Sequence, residues 1–192
     1  MKRFAKLLCL VITLILITGC GGSKEEKGTT NNASKSKGNY NVFEAVKKID
    51  TSSTIEEINT LIGFEGTIKS ESDETSTIEW KLYRWDLTED TAIEIRYYSS
   101  TKNMYVEAIF PTSMIKTKTI DFSNVKTEMK AINSTDGLKY EDVVKILGGV
   151  EGTLTKKDKD TLTYEWYGKE RGSMTARFST KTGKCTSYNG LF

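Results

Sequence analysis

Apolar residues recur at helical spacing in two stretches of the chain and at strand spacing in most of the remainder. Val42, Val46 and Ile49 fall on one face of a 3.6-residue period with Phe43 beside them, and Ile55, Ile58 and Ile62 resume the pattern after a polar break. Thr54 and Glu57 have the spacing of a capping box, and Gly63 stands where helices end, so two short helices joined by a polar turn are predicted. The segment around 125–151 reads the same way: Val125, Met129 and Ile132, then the turn residues "NSTDG", then Tyr140, Val143, Val144 and Leu147 closed by Gly148 or Gly149. After each helix pair the period drops to two. Ile78, Trp80 and Leu82 alternate with Glu79, Lys81 and Tyr83, and Ile93, Ile95 and Tyr97 alternate with Glu94, Arg96 and Tyr98. In the later half Leu162, Tyr164 and Trp166, then Met174, Ala176 and Phe178, do likewise, and a last strand follows the turns "SSTKN" and "STKTGK" at 104–110 and 185–191.

The two halves share wording as well as pattern. "EGTIKSESDETSTIEW" at 65–80 and "EGTLTKKDKDTLTYEW" at 151–166 match without a gap at seven of sixteen positions, among them Glu65/Glu151, Gly66/Gly152, Glu79/Glu165 and Trp80/Trp166. Such self-similarity at a fixed period is the mark of a duplicated unit. The pattern therefore predicts an α+β fold of two tandem repeats, each a helix-loop-helix packed on a four-stranded antiparallel sheet, with Trp80 and Trp166 in equivalent core positions. The first repeat spans 40–110, a linker spans 111–124 around the only proline, Pro111, and the second repeat spans 125–192. A unit of about 70 residues with neither disulfide nor metal has a small core, and packing against a twin remedies that.

The start of the chain has a different character. Lys2, Arg3 and Lys6 precede an apolar run at 7–17 interrupted only by Thr13, which is the form of a secretory signal and too short for an ordinary membrane span. Its end, "LITGCGG", resembles a bacterial lipobox. The resemblance implies that residues 1–19 are a lipoprotein signal peptide and that Cys20 carries a lipid at the mature N-terminus, with more than one acyl chain because each buried methylene contributes only about 0.8 kcal/mol. The chain would then sit on the outer face of the bacterial cell membrane. Residues 20–39 hold Ala33 as nearly their only apolar side chain and read as a flexible tether, whose middle eighteen residues have a reach of roughly 23 Å.

Charge and composition remove several functions. Without the first nineteen residues the chain carries 25 basic and 26 acidic residues, so no cationic excess exists to drive nucleic-acid binding. There is no His anywhere, and Cys185 is the one cysteine outside the leader and lipobox, so it has neither a disulfide partner nor an imidazole to activate it. The acidic run "ESDE" lacks the spacing of a calcium loop, and no metal or other cofactor is implied. The carboxylates that recur, Glu65, Glu151, Glu79 and Glu165, lie in turns or on a wet strand face, and the reading is of a chain that is not an enzyme.

If Trp80 points inward, alternation sends Tyr83, Trp85, Tyr98 and Tyr105 outward, interleaved with Arg96 and several carboxylates. The second half offers less, mainly Glu165, Tyr167, Arg177 and Tyr188. Trp, Tyr and Arg supply most of the energy at interface centres, so Tyr83, Trp85, Arg96, Tyr98, Tyr105, Tyr167 and Arg177 are the candidate protein-binding residues.

Three sequence features, "TIEEINTLIGFEG" with "YEDVVKILGGVEG", the paired "EW" strands, and "EIRYYSSTKN" with "TARFSTKTGK", together resemble the tandem repeat of the β-lactamase inhibitory protein family. A single copy of a related unit occurs in envelope lipoproteins of the SmpA/OmlA type. The first resemblance implies a concave sheet surface that binds an envelope or secreted protein, such as a β-lactamase, and the second implies an architectural or assembly role in the envelope.

Overall fold

Asn41 and Thr54 set where the chain enters helix. The Asn41 side-chain oxygen accepts from the Phe43 N–H at 3.0 Å and opens α1 (Val42–Lys48). Thr54 and Glu57 form the reciprocal capping box of α2 (Ile55–Ile62), with the Thr54 N–H donating to Glu57 Oε2 at 2.8 Å, and Gly63 ends the helix at φ 87°. A third helix, α3 (Tyr140–Ile146), begins where the Lys139 N–H donates to Asp142 Oδ2 at 3.1 Å. The structure, a computed structural model, describes residues 41–115, 120, 122, 125, 137–168 and 172–191, and all of these lie in one compact unit. The expected signal peptide, Cys20, the tether at 20–39, and Met129 and Ile132 lie outside the described residues.

Eight strands follow one another in space in the order of the sequence: β1 (Thr67–Glu71), β2 (Trp80–Asp86), β3 (Ala92–Tyr98), β4 (Asn103–Ile109), β5 (Thr153–Lys157), β6 (Thr161–Tyr167), β7 (Ser173–Ser179) and β8 (Cys185–Leu191). Every neighbouring pair is antiparallel. The fold is thus α+β with one eight-stranded sheet, where two separate four-stranded sheets were expected. The physical reason lies at the edges: β4 and β5 would each present unpaired backbone groups, and they satisfy one another through Val106↔Lys157 and Glu107↔Lys156. An ion pair at 2.5 Å between Lys156 and Glu107 reinforces the junction.

One face of the sheet is covered. Val42, Val46, Ile49, Ile58 and Ile62 from the first two helices bury against Ile93, Ile95, Met104, Val106 and Leu154, each fully buried aliphatic side chain contributing about 1.5–3 kcal/mol. Helix α1 lies over β3, β4 and β5, so it straddles the junction, and the Lys157 ammonium donates to the Lys47 carbonyl at its C-terminal end at 3.1 Å. A second core gathers Ile120, Phe122, Val125, Val143, Leu147, Trp166, Met174, Phe178 and Cys185. Tyr164 packs against both cores. Ile115, Ile120 and Phe122, in the expected linker, are buried.

The tryptophans correct the sequence reading. Trp85 and Trp166 are the buried pair, at 0% and 1% exposure, while Trp80 is half-buried. Trp85 lies against Gly66 and Trp166 against Gly152, so closely that a Cβ on either glycine would meet the indole at 2.4 Å and 2.5 Å. The ungapped match of Trp80 with Trp166 fails because the loop from β1 to β2 runs over 72–79 whereas that from β5 to β6 runs over 158–160. Past that loop Tyr83 and Trp85 stand where Tyr164 and Trp166 stand, as the pairings Trp85↔Ile93 and Trp166↔Met174 record.

Candidate protein-binding face

With Trp85 inward, alternation and register define the opposite face of the sheet. Along one row the pairings run Arg84↔Glu94, Glu94↔Glu107, Glu107↔Lys156, Lys156↔Thr163 and Thr163↔Arg177, a line of mostly charged residues crossing from β2 to β7. Neighbouring strands stand roughly 4.8 Å apart, so neighbours in the row are within side-chain reach. Arg84 donates to Glu94 Oε1 at 2.7 Å and to Asp86 Oδ1 at 2.6 Å. These two carboxylates hold the guanidinium firmly protonated, Asp86 being the stronger influence. Lys156 is pulled down by burial, but the Glu107 hydrogen bond and charge more than offset this and hold its ammonium above the ordinary value.

The next row toward the hairpin tips is aromatic. Leu82 pairs with Arg96 and Arg96 with Tyr105, while Trp80 pairs with Tyr98. The Arg96 guanidinium lies 5.0 Å from the centroid of the Trp80 ring, a cation–π contact worth about 0.5–1 kcal/mol at an exposed site. Above these residues is an open cleft of about 800 Å³, walled by Ile78 of the long β1–β2 loop on one side and by Asp158 and Lys159 of the β5–β6 turn on the other. Ile78 is 53% exposed, which places an apolar side chain at the rim. Burial raises the Tyr105 hydroxyl above its ordinary value. Tyr98 and Tyr105 form no side-chain hydrogen bond, and Arg96 and Arg177 form neither a side-chain hydrogen bond nor an ion pair, among the described residues.

Of the seven expected binding residues, Arg96, Tyr98, Tyr105, Tyr167 and Arg177 lie on this open face. Tyr83 and Trp85 do not. Tyr83 packs on the first core and stacks on Trp85 with ring centroids 6.0 Å apart, and the Trp85 indole N–H donates to Asn59 Oδ1 at 3.0 Å. Trp80, Leu82 and Ile78 take their places, and sequence reasoning passed over them. A signal for them existed: a short turn after Leu87 puts Arg84 opposite Glu94 and Trp85 opposite Ile93, a charge match and an apolar match that only the opposite phase satisfies.

The recurring carboxylates have structural partners or open solvent. Glu165 accepts from Thr155 Oγ1 at 3.0 Å and from Tyr167 Oη at 2.9 Å. Burial first, and then that bond to Glu165, push the Tyr167 hydroxyl up to about 12. Glu65, Glu79 and Glu151 are exposed. Among the described residues no three His, Cys, Asp or Glu side chains converge on a point that could hold a metal ion. Burial also raises the Cys185 thiol, the opposite of activation. No protein-family model, curated protein or solved structure matches the chain, so the geometry of this face carries the functional reading.

Proposed function

We propose that the chain is a non-enzymatic protein of the bacterial cell envelope, anchored by lipid at Cys20, that holds another protein on the open face of its sheet. The observation that carries this reading is the cleft itself. Trp80, Leu82, Tyr98 and Tyr105 surround an arginine whose side-chain donors are unused among the described residues, and Trp, Tyr and Arg are the residue types that dominate interface centres.

The finer architecture belongs to the same proposal. Two αα-plus-four-strand units, duplicated and fused edge to edge, give the continuous sheet, and the matching seats of Trp85 on Gly66 and Trp166 on Gly152 support it. In this arrangement the chain is similar to the tandem repeat of the β-lactamase inhibitory protein, and a secreted enzyme is one class of partner. The test is co-purification of the tagged full-length chain from envelope extracts beside a Tyr98→Ala/Tyr105→Ala variant of equal thermal stability. Loss of a stoichiometric protein partner in the variant supports the reading, and an unchanged set of partners refutes it. Retention of the Cys20→Ser variant in the membrane fraction would refute the anchor.

A further inference from the structure

Charge pairing on the open face says more about the partner than its aromatic content does. Arg84 is shared between Asp86 and Glu94, Lys156 is taken by Glu107, and Glu165 is occupied by two hydroxyls. Among the described residues, two cations on the strands of this face have no carboxylate partner, Arg96 and Arg177, and they occupy the same register position in their halves, Arg96 opposite Leu82 and Arg177 opposite Thr163. The Arg96 guanidinium lies over the Trp80 ring, 5.0 Å from its centroid, and none of its five side-chain N–H donors is used among the described residues. A guanidinium presented in this way is a fork for a carboxylate.

We infer that the partner docks an acidic polypeptide segment across the strands, with one carboxylate on Arg96 and a second on Arg177. The inference rests on the protein-binding reading above and adds the chemistry of what is bound. Four strand spacings separate β3 from β7, roughly 19 Å, which an extended chain covers in about six residues at roughly 3.3 Å each. A small anion fills neither the distance nor the cleft. Ile78, Leu82 and Tyr98 form the apolar side of the cleft and ask for side chains between or beside the acids, while Asp158, Lys159 and Asp160 charge the far side and keep the acids at the arginines; the hydroxyls of Tyr98 and Tyr105, unbonded among the described residues, suit backbone amides. A lipid headgroup would satisfy the arginines and leave those walls wet.

The test uses the full-length chain in detergent as bait for a displayed random library of twelve-residue peptides, followed by affinity measurement with the selected synthetic peptides. Selected sequences carry two Asp or Glu about six residues apart, bind more weakly as salt is raised, and lose about tenfold or more in affinity with Arg96→Gln or Arg177→Gln. Arg96→Lys recovers only part of this loss, because an ammonium cannot present the planar fork. Both arginines are exposed, so Arg177→Gln should melt with the parent and Arg96→Gln within roughly 4 °C of it, the small loss being its contact with the Trp80 ring. Peptides that need Tyr98 and Tyr105 but carry no acidic pair, or that ignore Arg96→Gln, overturn the acidic segment and leave the protein-binding reading standing. Peptides indifferent to Tyr98→Ala and Tyr105→Ala, or no selected peptide at all, overturn both. Arginine-dependent sedimentation with phosphatidylglycerol vesicles in place of peptide binding overturns the polypeptide in favour of a membrane surface.

Discussion

Gly66→Ala tests the seat of Trp85, on which the assignment of the two faces depends. The added methyl would meet Cε2 of the indole at 2.4 Å, and the ring must withdraw by about 1 Å to reach ordinary contact at 3.4 Å. Trp85 has no exposed surface, so the withdrawal presses on the core, an overpacking that costs about 1–3 kcal/mol. Movement also strains the 3.0 Å bond from the indole N–H to Asn59 Oδ1, an oxygen that accepts from the Gly66 N–H at 3.0 Å as well; loosening it adds about 1 kcal/mol. The total is about 2–4 kcal/mol, which for a domain of this size lowers the melting temperature by roughly 5–15 °C. Thermal unfolding followed by circular dichroism measures it. A second variant, Gly66→Ala/Trp85→Phe, isolates the contact: the smaller ring makes room for the methyl, so the double variant should be more stable than the summed single effects by about 1 kcal/mol or more. A Gly66→Ala melting temperature within 2 °C of the parent, or strict additivity in the double variant, would refute the close packing and with it the inward placing of Trp85.

Acrylamide should quench one of the three tryptophans readily, and Trp80→Phe should abolish that quenchable component whereas Trp85→Phe leaves it; the reverse result would exchange the two faces. At the junction of β4 and β5, Glu107→Lys should cost about 1 kcal/mol by setting two ammonium groups together, and adding Lys156→Glu should recover more than half in chemical unfolding. Absorbance titration should show the Tyr167 phenolate appearing only near 12, with Glu165→Gln lowering that value without restoring the ordinary 10.0, since burial is the larger cause. Because the folded value is raised, the stability this hydroxyl contributes is complete below pH 10 and falls away as the pH rises from there through about 12.

Local signals carried the helices well. The capping box at Thr54 and Glu57, the stop at Gly63 and the buried stripe of Val42, Val46, Ile49, Ile58 and Ile62 follow from contacts within a few residues, which a sequence displays directly. Strand phase was harder where both faces are apolar. Ile78, Trp80 and Leu82 alternate as convincingly as Tyr83, Trp85 and Leu87, and a period of two cannot say which set faces the helices. That choice is made by long-range contacts, Trp85 with Gly66 and Asn59, and by a loop five residues longer than its counterpart, which an ungapped match conceals. In β3, where Glu94 and Arg96 are polar and Ile93 and Ile95 are not, the sequence itself shows the phase, and Arg96, Tyr98 and, across the hairpin, Tyr105 fall on the open face. The merging of two sheets into one rests on two residue pairs between β4 and β5, an interaction of edges that no periodicity encodes.

The most direct test of the open face as a docking surface is photo-crosslinking in the producing cell, with a benzophenone amino acid placed in turn at Tyr98, at Tyr105 and, on the helical side, at the exposed Leu61. The account predicts one discrete protein adduct from positions 98 and 105 and none from 61. Adducts of equal yield from all three positions, or from 61 alone, would contradict it.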